Sequence, residues 1–229
     1  MPAPPRPGGS DVAAAGAVAG AGSDADAEQR ILDAAHKVFV RRGTAGARMQ
    51  EIADEAGVNK ALLHYYFRNK SRLADGVFQR VAGGIFARVI EVARSGADLE
   101  EIVRSIIAIY LDQLSRTPYA PAYLIAELNQ HPERGRQLVQ TLSQLREGVS
   151  PDVALRALQA QLDTRVRAGT IRPISAQQFL TNLVSLCIFP FAARPMLCAV
   201  MGMDDGGFRE FIEERKRTLP DFFLGALRP

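Results

Sequence analysis

Two cysteines and three histidines in 229 residues leave little for metal or redox chemistry. Cys187 and Cys198 lie in an apolar stretch, at a separation that is neither a disulfide framework nor a metal-ligand spacing. They read as buried thiols behaving as small core hydrophobes, with a redox switch as the other reading. A reducing, cytoplasmic compartment suits them. His36, His64 and His131 have no carboxylate or cysteine at ligand spacing, and no HExxH, phosphate-cradling glycine loop or nucleophile elbow is present. The expectation is therefore no enzyme, no cofactor and no metal, and a helical-bundle enzyme stays only as a rival. Net charge is also scarce. A formal charge of +3 excludes a polybasic nucleic-acid coat, while a pI near 9.1 still tolerates a polyanionic partner. The first two dozen residues lack Leu, Ile and Phe, so a secretory apolar core is missing. Their Ala, Gly and Pro cannot bury enough surface to offset ordering entropy, which predicts a disordered arm over residues 1–24. Arg6 is its one basic residue, a poor basis for a minor-groove arm.

What is there concentrates between Met49 and Lys70, in MQEIADEAGVNKALLHYYFRNK. Met49, Ile52, Ala53 and Ala56 recur at helical spacing and give one apolar face. Gly57 suits the left-handed residue that ends a helix, and Asn59 can cap a second helix running through Phe67. Two helices joined by so short a glycine turn read as helix-turn-helix, which sets its second helix in the DNA major groove. Charge agrees. From Gly57 to Ala74 the charged residues are Lys60, Arg68, Lys70 and Arg72, with no acid, while Glu51, Asp54 and Glu55 sit on the preceding helix.

The flanking pattern is helical throughout. Ile31, Ala34, Ala35, Val38 and Phe39 share a face in a segment that opens at Asp26 and stops at Gly43, completing a three-helix domain over residues 25–70. Arg41 and Arg42, in its last turn, suit the helix dipole and are also within the reach of phosphate. Asn69 can cap a rod of roughly 25 residues, about 37 Å long, ending near Ser95. Gly83 and Gly84 interrupt it, as a hinge or as a close-packing point. Further helices are predicted over Asp98–Arg116, from Pro118 and Pro121 to Asn129, over Glu133–Gly148, Pro151–Ala168, from Ser175, and over Phe208–Leu227 after Gly206 and Gly207. Leu180–Val200 is nearly continuous in apolar residues, but Arg194, Pro190 and Pro195 argue for a buried helix rather than a membrane span. The fold class is all-α: a helix-turn-helix domain followed by a larger helical bundle over residues 71–229.

Over about Ala27–Phe78 the chain resembles the TetR family of transcriptional regulators. The resemblance rests on a helix ending in Phe39 and Gly43, then EIADEAGV, NKALLHYYFRNK, and Leu73 opening a long helix. Beyond that it is architectural only. Val58, Leu63 and Phe67 match the family's core positions, and Leu63 and Phe67 are four apart on one face. The resemblance implies DNA contacts at Asn59, Lys60, Ala61, His64 and Tyr65, facing the groove or its walls, and phosphate contacts at Tyr66 and Lys70. Lys60 is suited to guanine O6 and N7, and Tyr65 and His64 to thymine methyls or phosphates. Solvated lysines, a core Tyr66 and a surface His64 are the plainer alternatives. Three departures matter. Ala47 and Arg48 stand where the family usually has a capping Ser or Thr, so Arg48 can meet phosphate but cannot cap through an oxygen. Ala61 replaces a common Gly and His64 a common Tyr, so the operator cannot be borrowed from a relative.

The resemblance further implies a homodimeric, ligand-responsive repressor on a palindromic double-stranded operator, with a small, largely apolar effector in the bundle and no membrane. An effector-independent regulator or activator is the alternative. Phe86, Tyr110, Tyr119, Tyr123 and Phe179 are the suggested pocket lining, with Glu127 and Asn129 adding polarity. Leu183, Leu186, Phe189, Phe211 and Phe222 are the suggested dimer interface.

Overall fold

In a computed structural model, residues 18–145 and 151–229 are described, and their elements are eleven helices with no strand. The chain divides into two compact units, Met1–Ala74 and Asp75–Pro229. Most of the predicted arm and the end of the predicted 133–148 helix lie outside the described residues.

In the first unit, α1 (Val18–Gly46) packs on α2 (Met49–Ala56), and α2 packs on α3 (Lys60–Tyr66). Helix α1 starts earlier than the Asp26 expected, so residues 18–24 belong to it rather than to a disordered arm. Its predicted stop is real in conformation: Gly43 takes φ 68°, a left-handed kink, before a last short turn. Ile31, Ala35, Val38, Ile52, Ala53 and Leu63 are fully enclosed, and Phe67 and Leu73 are buried with them. The turn between α2 and α3 closes as a Schellman motif. Gly57, at φ 64°, donates to Asp54 O at 3.2 Å, and Val58 donates to Ala53 O at 3.0 Å. The acids of α2 are matched to the cations of α1. Arg41 reaches Glu55 at 3.0 Å, Arg42 reaches Glu51 at 3.5 Å and Lys37 reaches Glu55 at 3.6 Å.

Helix α4 (Lys70–Arg94) contains the division between the units and is continuous through Gly83 and Gly84. A Cβ on Gly83 would meet Leu138 Cδ1 at 3.9 Å, an ordinary contact, and one on Gly84 would meet nothing within 4 Å, so neither glycine is required by close packing and neither breaks the helix. The second unit continues with α5 (Leu99–Arg116), α6 (Ala120–Gln130), α7 (Pro132–Leu145), α8 (Pro151–Arg167), α9 (Ala176–Ala192), α10 (Arg194–Met201) and α11 (Asp205–Ala226). Helix α5, apolar on most sides as its sequence required, is sandwiched between α9 and α11. Ile106, Ile107, Leu111, Phe179, Leu183, Cys187 and Leu219 form the centre of the main core. A smaller core joins Phe78, Ala82 and Ile90 to Leu138, Leu142 and Ala154. Between α6 and α7 the buried Arg134 pairs with the buried Glu127, and its Nε also donates to Asp75 at 2.9 Å.

The predicted Leu180–Val200 helix is two helices, bent by 70° where α9 gives way to α10. Pro195 explains the bend, because it has no N–H for the carbonyl of Phe191 and so cannot continue α9, yet it fits the first turn of α10. Pro190, by contrast, stays inside α9. It has no N–H for the carbonyl four residues back, and Arg215 supplies the donor instead, bonding Leu186 O at 2.9 and 3.2 Å. Helix α11 begins before its glycines. Asp204 caps it through Gly207 N at 2.8 Å, and a Cβ on Gly206 would crowd that carboxylate at 3.2 Å. Among the described residues no single helix is long and apolar enough to cross a membrane, although α9 and α10 together pass by length and composition.

Candidate nucleic-acid interface

Helix α3 is only seven residues long, so its ends decide its position. Asn59 Oδ1 accepts from Leu62 N at 2.7 Å and caps the start. Phe67, buried, leaves helical backbone at the end while donating to Leu63 O at 2.9 Å. Leu63 and Phe67 anchor one face, which leaves Lys60, Ala61, His64 and Tyr65 exposed on the other. At about 100° per residue these four side chains share an arc of roughly 140°. Tyr65 is 76% exposed, an aromatic ring held in water with its edge against Tyr66 at 5.2 Å. That combination of lysine, imidazole and phenol on one surface, with no acid among them, suits base edges and phosphates.

The remaining predicted contacts surround this face. Arg48 is exposed at the N-cap of α2 and makes no capping bond through its side chain, as its chemistry required. The first-turn amides of α2 therefore have no side-chain oxygen from that position. Tyr66 is half-buried. His64 places Nδ1 at 3.3 Å from Arg68 O, a contact in which that nitrogen is the donor. Asn59 has its oxygen committed to the cap, leaving its amide nitrogen for any outside acceptor. Lys70 is half-buried, and its Nζ donates to Ala45 O at 2.7 Å and to Ala47 O at 3.1 Å. Of the three acids of α2, Glu51 and Glu55 are occupied by α1 cations and Asp54 accepts from Gln50 Nε2 at 2.8 Å, and the Arg41 guanidinium holds the Glu55 carboxyl below its usual range. Arg41 and Arg42 are explained by these pairs as well as by the helix dipole.

The five suggested pocket residues do not form one lining. Tyr110, Tyr123 and Phe179 are buried, and Phe179 meets Phe223 edge-on at 5.2 Å inside the main core. Phe86 and Tyr119 are exposed, at 43% and 58%. Aromatic spacing alone could not separate the inner from the outer face. The interface set also divides. Leu183 is fully enclosed by its own unit, because α9 turns that side toward α5, so it is withdrawn from the interface. Leu186 and Phe211 are half-buried against the core, whereas Phe189 and Phe222 are 54% and 66% exposed. Burial pushes the Cys187 thiol up to about 12, which makes it inert, and Cys198 is a second free thiol, half-buried. Sequence reasoning missed the roles of Arg134 and Arg215. Only Arg215 had a signal, since Pro190 predicts an unsatisfied carbonyl at Leu186.

The model for bacterial regulatory proteins of the tetR family matches residues 31–77, the stretch that carries α2 and α3. The HTH-type transcriptional activator FasR of Mycolicibacterium smegmatis is 36% identical over 83 residues, 36% of this chain and 38% of that protein. The HTH-type transcriptional repressor NicS of Pseudomonas putida is 26% identical over 175 residues, 76% of this chain and 80% of that protein. Among solved structures, the TetR family transcriptional regulator PfmR of Thermus thermophilus superposes with a TM-score of 0.63 at 20% identity, covering 87% of this chain and 100% of that one. With its capped and exposed α3, its Schellman turn and the family match over residues 31–77, the first unit carries the DNA-binding domain of tetR-family transcriptional regulators, and the helical second unit shares the fold of their solved structures.

Proposed function

We propose that the chain is a cytoplasmic, homodimeric repressor that inserts α3 into the major groove of a near-palindromic operator and leaves it when a small effector binds the second unit. The observation that carries the DNA half is the acid-free exposed face of Lys60, Ala61, His64 and Tyr65, fixed from behind by Leu63 and Phe67. Lys60 reads a guanine edge, His64 and Tyr65 meet thymine methyls or phosphates, and Asn59, Tyr66 and Arg48 hold the flanking backbone. Two such helices related by a two-fold axis require a two-fold operator. Phe189 and Phe222 support the dimer, since both are large, apolar and exposed. Selection of fragments bound from genomic DNA tests the reading. Discrete fragments sharing a two-fold half-site support it, and retention of all duplexes alike counts against it.

Repression is favoured by the name of NicS, while the name of FasR makes a transcription assay with the selected operator the test of sign. For the effector, the apolar core around the buried Tyr110 favours a largely apolar molecule. A regulator without an effector is the second reading, favoured by the close burial of Phe179 against Phe223. A ligand that raises the melting temperature of the second unit and releases operator decides between them.

A further inference from the structure

Lys70 carries an observation that the DNA reading leaves unused. It is the first residue of α4, and its ammonium reaches back across the first unit to two main-chain carbonyls. Of those carbonyls, Ala45 O belongs to the last turn of α1 and Ala47 O to the link between α1 and α2. Around the link, Gly43 takes a positive φ and Arg48 supplies no side-chain bond to α2. The origin of α4 is itself firmly set. Asn69 Oδ1 accepts from Arg72 N at 2.9 Å, and Leu73 N donates to Asn69 O at 3.2 Å. An ammonium has three donors, and two of them are committed here. The nitrogen at 2.7 and 3.1 Å is in normal bonding range of both oxygens.

We infer that Lys70 is a positioning residue, a clamp that fixes the start of α2 to the start of α4, and not a phosphate contact. Helix α3 lies between these two anchors in the chain, so the clamp references both sides of the reading helix to one point. Where an oxygen cap at position 48 would have fixed α2 locally, this chain holds the preceding carbonyls with a cation from 23 and 25 residues away. Its effect on DNA passes through geometry. Loss of the clamp lets Arg48 and α3 drift relative to each other, which harms matched base contacts more than general attraction to phosphate.

The inference rests on the DNA-binding reading for its function, though the clamp itself can be observed without DNA. Lys70→Met is compared with the wild-type chain on the strongest selected genomic fragment and on an unrelated duplex of equal length, across a salt series well below the melting temperature. The clamp predicts that affinity for the selected fragment falls about 10-fold, as for one spoiled base contact. Affinity for the unrelated duplex then changes less than 2-fold by that estimate, and the log–log salt slope stays unchanged. A phosphate contact would lower both affinities alike and reduce the slope by about 0.9, which overturns the inference. A purely stabilising role would leave both affinities intact at that temperature, and that also overturns it. Amide exchange at Ala47 and Ile52, which donate to Gly43 O and Arg48 O, supplies the arm that needs no DNA: faster exchange there in Lys70→Met, with α1 before Gly43 unchanged, supports the clamp, and unchanged exchange contradicts it. If Lys70→Met does not fold, Lys70→Gln, which keeps a donor for at most one carbonyl, is measured instead: the clamp predicts changes of the same direction and smaller size, and no change in selected-fragment affinity or exchange overturns it. Absence of any fragment selected by the wild-type chain would sink the DNA reading while the exchange arm still decides the clamp.

Discussion

The two units solve opposite problems with the same material, helices. The first, up to Ala74, is small, and its exposed surface carries the chemistry: a seven-residue helix turned outward, with Tyr65 in water and Lys60 beside it. The second, from Asp75, encloses its best side chains. Phe179, Ile106 and Leu183 are sealed in, while Phe189 and Phe222 are among the rings left exposed. The first is specified by punctuation, caps and a left-handed glycine, and the second by bulk burial. A short motif can therefore identify the first unit and say almost nothing about the second.

The largest effects belong to the second unit. Phe179→Ala removes a fully buried ring and is expected to cost about 3–5 kcal/mol in urea melts, with operator affinity below the transition unchanged. Arg134→Ala, which strips the buried Glu127 of its guanidinium partner, is expected to cost about 3–5 kcal/mol by the same measurement. If either change weakens operator binding as much as it lowers stability, the division of labour is wrong. Next comes the exposed apolar surface. Phe222→Glu is expected to weaken self-association by about 2 kcal/mol or more, read by sedimentation at a series of concentrations. An unchanged dimer, or a wild-type monomer, would remove Phe222 from the interface.

Effects in the first unit are smaller in stability and larger in function. Lys60→Ala should cost about 1–3 kcal/mol of operator binding and relax preference at one base position, while its melting temperature holds. The smallest effect is expected at Glu55. Its carboxyl is held low chiefly by the bond from Arg41, so the stabilisation is present above the unfolded carboxyl's pKa and is lost as pH falls through the folded one. Melting curves of the wild-type chain and Glu55→Gln should therefore differ slightly at neutral pH and converge in acid. Curves that stay parallel to pH 2 would remove the Arg41 pair from the account.

Much of this was legible in the sequence where the signal is local. Gly57, Asn59 and the Leu63–Phe67 pair each specify backbone or burial within four residues, and α2 and α3 fall where they indicated. The missing oxygen at Arg48 was legible too, and the structure shows no side-chain cap there. What replaces it was not, because Lys70 meets backbone carbonyls, which have no sequence signature, far along the chain. The bend after α9 was obscured because apolar composition continues through it, and only Pro195 marks the change. The pocket set failed to converge for a related reason. Spacing places Phe86 and Tyr110 on helices, but which face a neighbour covers is decided by tertiary packing.

The central claim is that the exposed face of α3 reads DNA. Genomic fragments selected by the wild-type chain should be measured by fluorescence anisotropy against a variant carrying Lys60→Ala and Tyr65→Ala together, at fixed salt and below the melting transition. The account predicts that the double variant loses preference for those fragments over unrelated duplex, while its circular dichroism and melting curve match the wild type. A double variant that retains the full preference would contradict it.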